Sequence, residues 1–230
     1  MKKLFLTVLP VIMAVMNVSA QQFFFSTSEG QVLVYAHKNG KGKTENYTRQ
    51  TIRKVEGQGR NLTIAYEVEM LDKNMKKVDI QWEEGLSFTV NIRDGVVVLD
   101  LKSMLGDLMK NKPAGGEMTL TGTPVEIPST LQPGQSLKDA GINLNIGIIK
   151  IQVDINEGQC LAVETITVPA GTYSCHKITQ TYQASVMGIR TIMRTISWYA
   201  PGIGIVKSET YDKKNTLNSS EELQSIKNEV

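Results

Sequence analysis

Histidine and cysteine are scarce: the 230-residue chain has two of each, His37, His176, Cys160 and Cys175. Histidine-based catalysis and zinc ligation therefore have little to work with, and no H-E-x-x-H, C-x-x-C or G-x-S-x-G pattern occurs. No glycine-rich phosphate loop opens a helix, and no calcium-loop spacing is present. No cofactor, metal site or catalytic residue is expected. Adjacent residues on a strand point to opposite faces, so Cys175 and His176 cannot act as nucleophile and base for each other. Nothing in the sequence favours a pairing of Cys175 with His37 across a sheet. A packed thiol and a surface imidazole are the simpler reading.

An excess of charge is also lacking once the amino terminus is set aside. Lys2 and Lys3 precede an apolar run from Leu4 to Val18, and Val18-Ser19-Ala20 is a small-residue cleavage pattern before Gln21. Residues 1–20 are read as a cleavable signal peptide and 21–230 as one domain. The apolar run is shorter than the roughly 20 residues a membrane-spanning helix needs, and no later run is apolar enough to span. No cysteine follows the cleavage point, so the lipid-anchored variant of the signal is not expected. Removing the two signal lysines leaves 23 basic against 23 acidic residues. A neutral domain lacks the footprint of a nucleic-acid binder.

Two cysteines in an oxidising compartment invite a disulfide. A hairpin turning about Ala170 would place Cys175 opposite Thr165 and Cys160 opposite Gln180, about five strand positions or roughly 17 Å apart. Free, buried cysteines are the favoured reading, with the disulfide as the alternative.

Alternation is the dominant pattern in what remains. Leu62, Ile64, Tyr66, Val68 and Met70 share one face against Thr63, Ala65, Glu67 and Glu69, as in a half-buried antiparallel strand. The same period recurs in Val78, Ile80 and Trp82 and in Phe88, Val90 and Ile92. Asn39-Gly40 and Asp94-Gly95 are hairpin signals, with longer connections at Asp72-Lys73-Asn74 and Asp212-Lys213-Lys214-Asn215. From Ile142 to Ile155 the apolar phase slips from even to odd positions, which predicts a bulge or sharp bend near Gly147 to Ile149. Leu101 to Asn111 has helical spacing. The expected fold is all-β: a strongly curved antiparallel sheet, half-barrel or barrel-like, with one short helix covering a face or mouth. Glu67, Glu69, Asp79, Glu83 and Asp154 alternate with apolar residues, as a solvated sheet face does.

Three ordered motifs carry a family resemblance. They are Pro128-Ser129 with Leu131-Gln132-Pro133-Gly134-Gln135-Ser136-Leu137, then Val168-Pro169-Ala170-Gly171-Thr172-Tyr173 followed by Cys175-His176-Lys177-Ile178, and finally Trp198-Tyr199-Ala200-Pro201-Gly202-Ile203-Gly204-Ile205-Val206-Lys207. From about Gly30 to its end, the chain resembles the TapB-like family of exported bacterial proteins from Gram-negative envelopes. The resemblance implies an exported β-rich domain and supplies no catalytic site.

Two features are candidates for binding. Arg190 and Arg194 share a strand face with Ile192, Ile196 and Trp198, a line of guanidiniums and an aromatic suited to an anionic or amphipathic ligand. The alternative is an outer sheet face on which arginine stems lie over apolar neighbours. The stripe of Met104, Leu105, Leu108 and Met109 suits a flexible lid over an apolar cavity, or ordinary packing of a helix on the sheet. The candidate ligand-binding residues are thus Arg190, Arg194, Trp198, Met104, Leu108 and Met109, with Ile146 and Ile151 expected beside the methionines on the concave side. The function expected is that of an exported, non-enzymatic periplasmic protein binding an apolar or amphipathic ligand or an envelope protein. The alternatives are a hydrolase built on scattered acids or Cys175, and a structural role in envelope assembly.

Overall fold

The structure is a computed structural model that describes residues 22–78, 86–100 and 118–229. The described residues form thirteen strands: β1 (Gln31–Asn39), β2 (Thr44–Gln58), β3 (Asn61–Leu71), β4 (Leu86–Arg93), β5 (Val96–Leu99), β6 (Met118–Thr123), β7 (Val125–Pro128), β8 (Ala140–Ile146), β9 (Ile149–Val168), β10 (Gly171–Val186), β11 (Ile189–Ala200), β12 (Gly204–Asp212) and β13 (Leu217–Asn228). All belong to one antiparallel sheet in the order β6-β8-β9-β10-β11-β12-β13-β1-β2-β3-β4-β5-β7. Among the described residues there is no helix. The helix expected over Leu101–Asn111, with Met104, Leu108 and Met109, lies outside them, as do the signal segment and the expected strand residues Asp79, Ile80, Trp82 and Glu83.

The sheet is a nearly closed barrel, and the chain itself does most of the closing. The two edge strands, β6 and β7, are consecutive and separated only by Pro124. The first half of this run pairs with β8 and the second with β5. Proline has no N–H to offer a ladder, so the partner switch falls where a strand hydrogen bond is impossible anyway. Gly122 prepares the switch: a Cβ there would collide with the Gly141 carbonyl on β8.

The slip in phase between Ile142 and Ile155 is resolved by a full reversal of the chain. Gly147 takes φ +56°, and Gly147-Ile148 forms a two-residue turn that sets Ile146 opposite Ile149, Leu144 opposite Ile151 and Ile142 opposite Val153. The even and odd sets are therefore cross-strand partners on one face, which a bulge in a single strand could not achieve. Asp94-Gly95 forms the expected tight turn, with both residues at positive φ. The longer turns share one design. Asp72 Oδ1 accepts from the amides of Asn74 and Lys76 at 2.8 and 2.9 Å, and Asp212 Oδ1 accepts from Lys214 and Thr216 at 2.8 and 2.9 Å. Asn39 Oδ1 does the same for Lys41 and Lys43, both at 3.1 Å. An amide-bonding side chain followed by a left-handed residue, Met75, Asn215 or Gly42, is the three-residue hairpin loop.

Alternation sorts the strands into an inner face and an outer one. Leu33, Ile52, Ile64, Val90, Ile92, Ile178, Val206 and Leu223 point inward and are almost fully buried, each contributing roughly 1.5–3 kcal/mol of transfer free energy. On the outer face Arg49 pairs with Glu69 at 2.8 Å and Arg53 with Glu67 at 2.7 Å, so these carboxylates belong to a solvated ladder. Cys160 and Cys175 are free and buried. The β9–β10 turn is Pro169-Ala170, and a register shift follows at Lys177/Ile178, so Cys175 faces Glu164 and Cys160 faces Ile178. This corrects the register expected from a turn centred on Ala170, because a two-residue loop pairs Val168 with Gly171.

One end of the barrel is stoppered. Phe23 and Phe24, both buried, enter it just ahead of β1, and the Phe23 carbonyl accepts from Gly202 N at 2.7 Å in the β11–β12 turn. The β9–β10 turn folds over the same end, where Ala170 N donates to the Leu223 carbonyl at 3.3 Å.

Candidate functional site

Inside the barrel lies a cavity of about 210 Å³. Its apolar wall comes from Phe25, Val68, Val97, Leu99, Ile127 and Ile205, and its polar wall from Tyr35, Thr48, Gln50, Tyr66, Tyr199 and Glu221. Each polar residue reaches the interior through strand alternation: Tyr35 lies on β1 in phase with Leu33, Tyr66 on β3 in phase with Ile64, and Thr48 and Gln50 on β2 in phase with Ile52. Aromatic contacts fix part of the wall, with Phe25 5.3 Å from Tyr66, and Tyr66 5.5 Å from Phe88, between ring centroids. Phe24 packs edge-on against His176 at 4.8 Å and against Tyr199 at 6.1 Å, joining the stopper to the cavity wall.

Glu221 is the unusual member. It projects from β13 into a wall of tyrosines and aliphatics, and burial pushes its carboxyl up to about 7. The side chain still keeps 31 % of its accessible surface, so a molecule in the cavity can reach it. His37 Nδ1 lies 3.9 Å from Glu221 Oε2, and His37 Nε2 is 2.9 Å from Thr48 Oγ1. Burial lowers the pKa of His37, so it disfavours charge on both partners, and near neutral pH their contact is not a strong ion pair. Burial also raises Tyr66 to about 12. Tyr35 and Tyr199 are raised further, first by burial and then by neighbours that include Glu221. These phenols are therefore neutral hydrogen-bonding groups. Asn46 follows the same phase of β2 as Thr48 and Gln50, and its Oδ1 is buried with no hydrogen-bond partner among the described residues.

The residues expected from the sequence lie elsewhere. Arg190 is exposed beside the β10–β11 turn. Arg194 stacks over Tyr211, 5.2 Å from the ring centroid, and donates to Asn215 Oδ1 at 2.7 Å. Trp198 is 5 % exposed; it donates to Glu164 Oε1 at 2.6 Å and is flanked by Lys177 and Lys207 at 5.3 and 4.9 Å. All three share the face opposite that of Tyr199, so Arg194 and Trp198 engage separate outer-wall partners. Ile151 does not line the cavity. Met104, Leu108 and Met109 are outside the described residues, as is the side chain of Ile146. Cys175 donates to the Tyr173 carbonyl at 3.5 Å, and burial holds its thiol protonated, up to about 11.

Sequence reasoning did not single out Glu221, Tyr35 or Tyr199, and it placed Tyr66 on the buried face of its strand without reading it as part of a site. Leu33-Val34-Tyr35-Ala36 is a continuous apolar run, buried throughout, so period-two alternation gives no sign that Tyr35 faces inward. Glu221 had no signal either, because Ser219-Ser220-Glu221-Glu222 is polar on both faces.

Residues 28–223 match the model of the DUF3108-like family, and the chain belongs to that family. No curated protein matches it. Two solved structures share the fold. One is a Bacteroides fragilis protein inferred to be exported, with a YmcC-like fold, at TM-score 0.69 and 20 % identity over 90 % of this chain and 99 % of that one. The other is a Parabacteroides distasonis protein inferred to be a lipoprotein, at TM-score 0.70 and 20 % identity with the same coverage.

Proposed function

We propose that this chain is a non-enzymatic binding protein working outside the cytoplasmic membrane, whose barrel takes a small amphipathic molecule or the apolar arm of a larger one. Glu221 is the observation that carries this reading. A carboxyl turned into an aromatic cavity costs stability unless something there uses it, and a barrel serving only as structure would fill the position with an apolar side chain. The apolar wall from Val68 to Ile205 would hold the body of the ligand. Glu221, Tyr35 and Tyr199 would meet a hydroxyl, amide or amine at its head. The volume, about seven waters' worth, is below the roughly 300–1,000 Å³ of drug-sized sites, which argues for a slender ligand. The signal-like amino terminus, the motifs that resemble the TapB-like family and the names of the two structural relatives, one an exported protein and one a lipoprotein, support an address outside the cytoplasmic membrane.

Native mass spectrometry of the protein purified from the envelope without detergent tests this reading. A retained small molecule is expected, and Ile127→Trp, which fills the cavity, should lose it. An empty protein in both forms would overturn the ligand reading and leave an envelope-protein partner. A hydrolytic reading would rest on the same carboxyl, because Glu221 stands beside His37 with a pKa suited to proton transfer. It requires a turnover that Glu221→Gln abolishes.

A further inference from the structure

We propose that the paired tips of the β8–β9 and β10–β11 hairpins form a docking surface for an anionic lipid membrane. The tips are apolar and protruding: Ile148 is 85 % exposed, Ile189 76 % and Met187 57 %, with Val186, Ile149 and Ile192 each more than 40 % exposed. Large apolar side chains in such number at a turn are a cost to a freely dissolved protein and mark a contact surface.

The two tips form one surface. Met187 N donates to the Lys150 carbonyl at 3.1 Å, and Val186 lies opposite Ile151. The surface also stands clear of the barrel rim. β11 pairs with β12 only from Met193 onward, so Ile189 to Ile192 extend beyond it by four residues, roughly 13 Å at strand rise.

Charge decides the occupant. Lys150 and Arg190 are exposed directly behind the apolar tips, and no acidic residue occurs from Ala140 to Val153 or from Thr181 to Arg194. Around the same rim stand the exposed lysines 213 and 214 of the β12–β13 turn and 41 and 43 of the β1–β2 turn. Gly40 packs against the Leu217 carbonyl and so joins these two turns. Asp212 and Glu45 lie among them, but Asp212 Oδ1 is committed to two amides of its own turn and Glu45 accepts from Asn39 Nδ2 at 3.0 Å. A convex apolar tip ringed by cations has the shape and charge to enter a soft apolar phase beneath anionic headgroups. It lacks the flat, polar-rimmed form of a protein interface. The surface is distinct from the cavity, so either proposal can fail alone.

Co-sedimentation of the exported protein with vesicles of phosphatidylcholine, with or without phosphatidylglycerol, tests this. Binding is expected only with phosphatidylglycerol and should weaken as salt is raised. Lys150→Glu and Arg190→Glu should each lower the partition coefficient about fivefold or more, and Ile148→Asp with Ile189→Asp about tenfold or more. All four positions are exposed, so thermal unfolding should stay unchanged and report that the variants are folded. Ile148→Trp should shift its emission to the blue on vesicles. Absence of vesicle binding, binding indifferent to these substitutions, or an unmoved tryptophan signal would overturn the proposal. So would self-association, in place of lipid binding, through the edge of Ile189 to Ile192 that β12 does not pair.

Discussion

The two ends of the barrel are built on different principles. At the stoppered end the turns are tied to one another and to the entering chain. Gly95 N donates to the Arg60 carbonyl, Ser129 N to Gly95, Gly202 N to Phe23 and Ala170 N to Leu223, at 2.7 to 3.3 Å. At the opposite end three of the turns satisfy their amides from within, through Asn39, Asp72 and Asp212, and the tips of two others carry exposed apolar residues. An end whose turns depend on each other resists change as a unit. An end whose turns mostly satisfy their own amides, linked through Met187 N to the Lys150 carbonyl and the close approach of Gly40 to Leu217, can vary its lysines and exposed side chains with little disturbance to the sheet, which is where function is free to accumulate.

The largest test of this contrast is the stopper. Phe24 is 2 % exposed and touches His176 and Tyr199, so Phe24→Ala should cost about 3–5 kcal/mol. Met187→Ala at the opposite end should stay within about 0.5 kcal/mol. Urea denaturation of both variants measures the difference. A loss below about 1 kcal/mol for Phe24→Ala would mean that the β-turn network closes that end without the aromatic.

Glu221 sits between the ends and supplies the next effect. Its folded pKa, about 7, is above the ordinary carboxyl value, so between the two values the native state holds a proton that the unfolded chain has released. Stability from this group is complete below about pH 4.5 and falls as pH rises towards 7. Glu221→Gln should remove that slope and, at pH 8, raise stability by on the order of 1–3 kcal/mol. Thermal melts from pH 4 to 8 decide the point. If the wild-type protein is as stable at pH 8 as at pH 5, the carboxyl is already compensated.

Much of the barrel was legible in the sequence because each strand buries one face, and period-two alternation records that directly. Leu62 to Met70 and Phe88 to Ile92 read correctly for this reason, as did the Asp94-Gly95 turn. The reversal at Gly147 was visible as a slip in phase, but phase alone does not distinguish a bend from a hairpin; only the pairing of Ile142 with Val153 does. The closure through Pro124 was hidden, since one extended run with two different partners looks like any other strand. The cavity was hidden for a related reason. Tyr35, Thr48, Gln50 and Tyr66 lie on the adjacent strands β1 to β3, but Tyr199 and Glu221 join them from far along the chain, and an inward glutamate in a polar strand carries no local mark. Arg194 and Trp198 were correctly placed on one face, but that face is the outer wall, where Tyr211 and Glu164 already engage them.

The smallest effect tests whether the variable end is truly modular. Asp72 and Asp212 lie in separate turns with no shared partner, and the amides of Lys76 and Thr216 are the first cause holding their carboxyls below the usual aspartate range. Asp72→Ala and Asp212→Ala should each lower the denaturation midpoint slightly, and the double variant by the sum, because independent sites add. The sign with pH follows from the lowered folded values. The contribution is present above the ordinary aspartate pKa and is lost as pH falls through the lowered one. Asp72→Asn and Asp212→Asn keep an oxygen acceptor for the same amides and cannot titrate, so these variants should keep the turns and lose this acid limb. A double alanine variant that loses more than the sum would show that the two turns communicate through the sheet, and the end with the exposed tips would then be as cooperative as the stoppered one.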